Sequence, residues 1–250
     1  MLRDDRGKDE DEGYGKVSKD FLILIVSVLT LFAVKYRIEQ HAKQPGKFQT
    51  VTPINAAWHL GNFLVKEIAP VFGGFPHFPN EEGFLTFRVP NWDGDNKVPF
   101  LSITNDYGDI VQGIFLDPAR WNGHVVHGAS QILGFDQLVA NFKDGEPIHP
   151  PIDIHEGKYI LTMAVTGKKS RFQPILPSWE AFNTHRIHKL EDVKLMFAFT
   201  QITSGCYFVP KLPENNTASE LKRATAAALG RPEGQQGLVT VKDWFQSRFL

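Results

Sequence analysis

The chain has 250 residues, 42% hydrophobic and 22% charged, the usage of a protein that buries one principal core. Its 27 basic and 28 acidic residues leave a formal net charge of -1, so no field exists to hold a nucleic-acid backbone, and a DNA or RNA partner is not expected. The single cysteine, Cys206, excludes an internal disulfide and any multi-cysteine metal centre, and within Ser204-Gly205-Cys206-Tyr207 it reads as a buried inert thiol.

Residues 1–20 mix both charge signs densely and read as a solvated tail. Phe21 to Val34 then runs FLILIVSVLTLFAV without a charge, closed by Lys35, Tyr36 and Arg37. A retained transmembrane anchor over residues 21–36 is the expectation, with a buried core helix and a cleaved signal as alternatives. Its 16 residues give about 24 Å of helix against about 30 Å of hydrocarbon, a shortfall that snorkelling by Lys19 and Lys35 covers. Residues 37–82 read as a linker rich in Pro and Gly around one helix-length stretch, Ile54 to Ile68. Trp58, Leu60, Phe63, Leu64 and Ile68 suit an amphipathic helix there, and His59 within it reads as structural.

Beyond residue 83 the sequence breaks into short β-like runs: Phe84 to Val89, Phe100 to Thr104, Ile110 to Leu116, Tyr159 to Thr166, Glu180 to His188 and Val193 to Thr203. Asp93-Gly94 and Tyr107-Gly108 supply turns between them. One helix-like stretch, Ala129 to Phe142, interrupts the series, which predicts an α+β domain with an antiparallel sheet and a helix on one face. Residues 210–250 read as a helical extension, Ser219 to Leu229 followed by Val239 to Leu250.

On a helical wheel Ile132, Phe135, Val139 and Phe142 form one apolar stripe, and Asp136 falls within it, about 40° from Ile132. A carboxylate there is either buried and paired, or the helix is short or rotated and the acid reaches water. Trp121-Asn122-Gly123-His124-Val125-Val126-His127-Gly128-Ala129 leads into this stretch, and backbone N–H groups at a helix start suit an oxyanion.

The run from Asp109 to Phe142 resembles the central motif of hotdog-fold acyl-CoA thioesterases. In that motif a strand leads to a His-Gly loop and then to a helix whose acid stands nine residues after the histidine, as Asp136 stands after His127. Tyr159-Ile160-Leu161-Thr162-Met163-Ala164-Val165 is similar to the next strand of the membrane-associated and mitochondrial members, and the likeness covers residues 83–209. It implies a hotdog fold, a curved antiparallel sheet wrapped around one central helix. The implied activity is hydrolysis of an acyl-CoA thioester by a homodimer, with no cofactor. Asp136 is then base or nucleophile, Thr162 orients water, His127 sets the loop, and the N–H groups of Gly128 and Ala129 polarise the carbonyl, with Asn122 in the substrate-binding set.

Two departures stand out. Ala129 replaces the family's second glycine, and Asn141 to Lys158 is a long insertion whose His149, Asp153 and His155 mimic metal spacing without a fourth ligand, so no metal is expected. Anchor, insertion and Ala129 together support a second expectation: a catalytically inactive thioesterase-like subunit of a mitochondrial inner-membrane complex, partnered by lipid and other subunits.

Overall fold

Phenylalanine and tryptophan build the centre of the molecule. A computed structural model describes residues 34–143, 161–162, 169–176, 178–184, 188–208 and 216–249. Eleven of the twenty phenylalanines are buried in it, which accounts for the aromatic surplus of the composition. Trp58 is the hub, its ring 5.6–6.4 Å from those of Phe63, Phe72, Trp92, Phe100, Phe135 and Phe197. Stacked and edge-to-face pairs of this kind contribute about 0.5–1.5 kcal/mol each beyond the area they bury.

Three small sheets frame this core. Strand β1 (Ile54–Ala56) pairs parallel with β5 (Val126–Gly128). Strand β2 (Trp58–His59) pairs parallel with β4 (Val98–Leu101), whose other edge takes β6 (Gln131–Leu133) antiparallel. Strand β3 (Phe84–Pro90) pairs parallel with β8 (Lys169–Leu176), and β7 (Leu161–Thr162) adds antiparallel to β8. Every residue of β3 except Arg88 is buried, the continuous apolar run expected of a strand covered on both faces.

The helices are α1 (34–42), α2 (Gly108–Leu116), α3 (Pro118–Trp121), α4 (Phe135–Lys143), α5 (His188–Ile202), α6 (Thr217–Ala228) and α7 (Val241–Phe249). A π-turn at Ile103–Tyr107 feeds α2, and Asp117 caps α3 by accepting from the Arg120 N–H at 3.2 Å, with Pro118 in the first turn. Helix α7 inserts Trp244 and Phe245 into the aromatic core beside Phe63, Phe75 and Phe142.

The hotdog expectation is therefore corrected. Three of the five described strand pairings are parallel, and no single antiparallel sheet wraps a central helix among the described residues. Ile110 to Leu116 and Val193 to Thr203, expected as strands, fall in helix α2 and in helix α5 with the turn that follows it. Short apolar runs carry no period that separates strand from buried helix, and in α2 the buried Ile110, Gly113 and Ile114 follow helical spacing. Ile54 to Ile68, expected as a helix, is β1, β2 and the start of two 3₁₀ turns, Leu60–Leu64 and Lys66–Phe72. The helix expected from Ala129 begins at Phe135, because Gln131–Leu133 is drawn into β6 against β4.

No helix among the described residues is long and apolar enough to cross a membrane. Residues 21–33 of the expected anchor, and His149, Asp153 and His155 of the insertion, lie outside the described residues.

Candidate functional site

His127, Gly128 and Ala129 are consecutive at the end of β5, and each is held by local structure. The Gly128 carbonyl accepts from Ala57 N–H at 3.0 Å, and the Ala129 N–H donates to the His127 carbonyl at 3.0 Å, so the latter is not free to polarise a substrate. Asn122 is exposed, and its Oδ1 accepts from Val51 N–H at 2.9 Å, tying two loops together. Thr162 stands in β7 opposite Lys169 of β8. Asp136 is exposed in the first turn of α4, where a carboxylate faces the positive end of the helix dipole. The late start of α4 produces this: Phe135, Leu138, Val139 and Phe142 take the core, Ile132 is left half out on β6, and the acid reaches water.

An apolar cleft lined by Trp58, Asn62, Phe63, Val65, Phe72 and Phe75 has about 10 Å³ of free interior, room for a single water. Asp136 does not line it.

His127 itself is 5% exposed, its ring face to face with Phe208 at 4.3 Å between centroids, and its Nε2 meets no hydrogen-bond partner among the described residues. Burial holds its pKa below the ordinary 6.5, so the folded protein keeps the ring neutral where the unfolded chain begins to protonate it. The unfolded state then binds more protons, and stability falls as pH drops through 6.5 towards the folded pKa. His127→Gln should flatten that stretch of a stability–pH curve from urea melts. The slope should shrink without vanishing, since burial and Lys35 also lower the pKa of His59. An unchanged slope would mean that the ring is solvated.

The densest polar cluster lies elsewhere, where the π-turn meets α6. Asp106 is fully buried and Lys222 4% exposed; their side chains form an ion pair, and Lys222 Nζ also donates to the Asn105 carbonyl at 3.1 Å. The Ser130 hydroxyl donates to Asp106 Oδ2, and the Val239 N–H donates to both carboxylate oxygens at 3.2 and 3.3 Å. Ser130 Oγ in turn accepts from Ser102 N–H at 2.9 Å. One turn on, Arg231 pairs with both oxygens of Asp109 at 2.6 and 3.0 Å, and the Thr225 hydroxyl donates to the Asp109 carbonyl at 2.7 Å. Each Asp106 oxygen accepts from two groups, so the cluster fastens β4, β6, α2 and α6 together and offers no idle base.

These residues were not singled out from sequence, since Ile110 to Leu116 read as a strand and Tyr107-Gly108 as a turn. A signal was present in Ser219 to Leu229: Lys222 stands beside Leu221 on the apolar face of that helix, a position that needs a buried anion.

Parallel strand pairs under covering helices are an α/β arrangement. The model of the NmrA-like family matches residues 25–147. Among individual proteins, the NmrA-like family domain-containing oxidoreductase lnaB of Aspergillus flavus is 58% identical over 216 residues, 86% of this chain and 59% of that protein. The corresponding oxidoreductase FrzB of a Cladobotryum species is 56% identical over 219 residues, again 86% of this chain and 59% of that protein. The chain thus spans 59% of the length of these curated relatives.

Two crystal structures of NmrA, a negative transcriptional regulator, share the fold. The complex with NAD superposes with a TM-score of 0.56 at 16% identity, covering 86% of this chain and 56% of that one. The complex with NADP gives 0.54 at 15%, covering 87% and 57%.

These likenesses overturn the hotdog thioesterase reading, its acyl-CoA substrate and its inactive-subunit variant. The mitochondrial membrane setting was implied by that resemblance and falls with it; among the described residues no helix is long and apolar enough to cross a membrane. The cofactor-free expectation is corrected as well, since the NmrA structures that share the fold hold NAD or NADP.

Proposed function

We propose that this chain works within an NmrA-like oxidoreductase that uses a nicotinamide dinucleotide. The observation that carries the reading is the 58% identity over 216 residues to an NmrA-like oxidoreductase, supported by a fold shared with NmrA in complex with NAD and NADP. The 250 residues contain no Gly-x-Gly-x-x-Gly, the turn that sets a helix N-terminus on a pyrophosphate, so they do not fit the dinucleotide by themselves. What the chain supplies is a rigid frame, an aromatic core and a satisfied polar cluster.

The test is a chimera in which this chain replaces the matched 216 residues of lnaB. It should bind NADH or NADPH at about micromolar affinity by quenching of indole fluorescence, and should oxidise the reduced dinucleotide when offered carbonyl or imine acceptors. Binding of neither dinucleotide by a folded chimera defeats the reading. A second reading, a dinucleotide-responsive regulator without turnover, is favoured by the way Ser130, Asp106 and Lys222 engage one another. Saturable binding with no oxidation across the acceptor panel would select it.

A further inference from the structure

The sequence holds one Asn-Gly pair, Asn122–Gly123, in the turn between α3 and β5. Such a pair carries chemistry of its own, because glycine sets no Cβ beside its amide nitrogen and that nitrogen can reach the side-chain amide of the residue before it. Both residues are exposed, Gly123 is left-handed at φ +79°, and a carbon added to it would meet no described atom within 4 Å. Water and space are at hand.

Two hydrogen bonds hold the reacting groups apart. The Gly123 N–H, whose nitrogen is the nucleophile, donates to the Val51 carbonyl at 2.8 Å. Asn122 Oδ1, on the electrophilic carbon, accepts from Val51 N–H at 2.9 Å, so one residue occupies both partners with its two backbone groups. The Thr52 hydroxyl adds a bond to the Trp121 carbonyl at 2.8 Å, and Val126 N–H donates to the Pro53 carbonyl at 2.9 Å where the β1–β5 ladder begins. Ring closure therefore needs the lead into β1 to lift off this turn.

We propose that Asn122–Gly123 is a deamidation site guarded by Val51, which reacts only when the lead into β1 opens. In the open state the Gly123 nitrogen gives up its proton and bonds to Asn122 Cγ, and ammonia leaves, closing a five-membered succinimide. Water then opens the ring. Attack at Cγ breaks the Cγ–N bond and leaves aspartate, whereas attack at the backbone carbonyl carbon leaves isoaspartate, whose main chain runs through the former side chain and is one carbon longer. The two products differ in effect. Aspartate keeps an acceptor for the Val51 N–H, with a charge that strengthens the bond. Isoaspartate carries the Gly123 N–H away from the Val51 carbonyl, and the clasp does not reclose.

The test holds the folded chain, the chain unfolded in urea and a synthetic peptide of Arg120 to Val126 at mildly alkaline pH, and follows conversion of amide to carboxyl by peptide mass spectrometry. Peptide and unfolded chain should convert at least about tenfold faster than the folded chain, and hydrogen exchange at the Gly123 amide should be slowed at least about tenfold by folding, since both reactions pass through one opening. Thr52→Val removes the hydroxyl bond and leaves the Val51 backbone in place, so both rates should rise about threefold or more. If that variant does not fold, urea below the unfolding transition takes its place, and the two rates should rise together. Asn122→Gln keeps the acceptor but cannot close a five-membered ring, and should end the conversion. Isoaspartate is counted by methylation with an isoaspartate-specific carboxyl methyltransferase, and the form that carries it should melt at least about 2 °C below Asn122→Asp.

A folded chain that converts at the peptide's rate overturns the inference. So does a conversion rate indifferent to Thr52→Val and to urea, or an isoaspartate form that melts together with Asn122→Asp.

Discussion

Lys222→Met is expected to lower the free energy of unfolding by about 3–5 kcal/mol, the usual cost of removing one partner from a buried ion pair. The loss is large because of what remains. Asp106 is fully buried, and without the ammonium its carboxylate keeps only the Ser130 hydroxyl and the Val239 N–H as donors. A surface pair would behave differently: Arg120 and Glu220, at 2.5 Å but about half exposed, should yield only about 0–1 kcal/mol on truncation. The double variant Asp106→Leu with Lys222→Met removes both charges together and should recover most of the single-variant loss, since apolar replacement of a whole buried pair is often near neutral. Urea melts check this through the midpoint at constant m-value. A single-variant loss below about 1 kcal/mol would show that water reaches the pair, because only screening makes so close a contact weak.

How far the sequence foretold this arrangement depends on the range of the interaction involved. The stripe of Phe135, Val139 and Phe142 was visible as a 3.6-residue period and is buried as a helix face, and β3 was visible as a β-rich run. The helical pattern of Ser219 to Leu229 corresponds to α6, spanning Thr217–Ala228. Ile110 to Leu116 misled, because Ile, Val and Phe favour strands and only tertiary contacts decide otherwise. Those contacts come from residues more than 100 positions away, Thr225 and Arg231 on Asp109, and no local window contains them.

The spacing of nine residues from His127 to Asp136 misled for a related reason. It fits a loop followed by a helix, and it equally fits a strand, a second strand and the start of a helix, which is what forms. In the first case the acid enters the helix face; in the second it stands in the first turn of the helix, exposed to water. The polar cluster was the least legible feature, since Asp106 and Lys222 stand 116 residues apart and each looks ordinary in its own segment.

Gly113→Ala is the sharpest test of how α2 and α6 meet. A Cβ on Gly113 would stand 2.4 Å from the Leu221 carbonyl oxygen, 2.8 Å from its carbon and 2.9 Å from its Cα. All three atoms are backbone, so no side chain can rotate away and the helices themselves must part. Alanine is the better helix former by about 1 kcal/mol, which opposes the effect, yet overpacking a tight contact costs about 1–3 kcal/mol. Parting the helices also strains the fastenings on either side, the 2.7 Å bond from Thr225 to Asp109 and the pairing of Lys222 with Asp106. A net loss of about 1–3 kcal/mol is expected, or about 2–4 °C in melting temperature per kcal/mol for a chain of this size, and Gly113→Val should lose more. Gly108→Ala is the internal control: its backbone is already helical, nothing lies within 4 Å of the added carbon, and the change should be neutral or stabilise by up to about 1 kcal/mol. Calorimetry of the two alanine variants side by side should therefore show shifts of opposite sign, or one shift and none. Equal melting temperatures would mean that α2 and α6 do not meet backbone to backbone at Gly113.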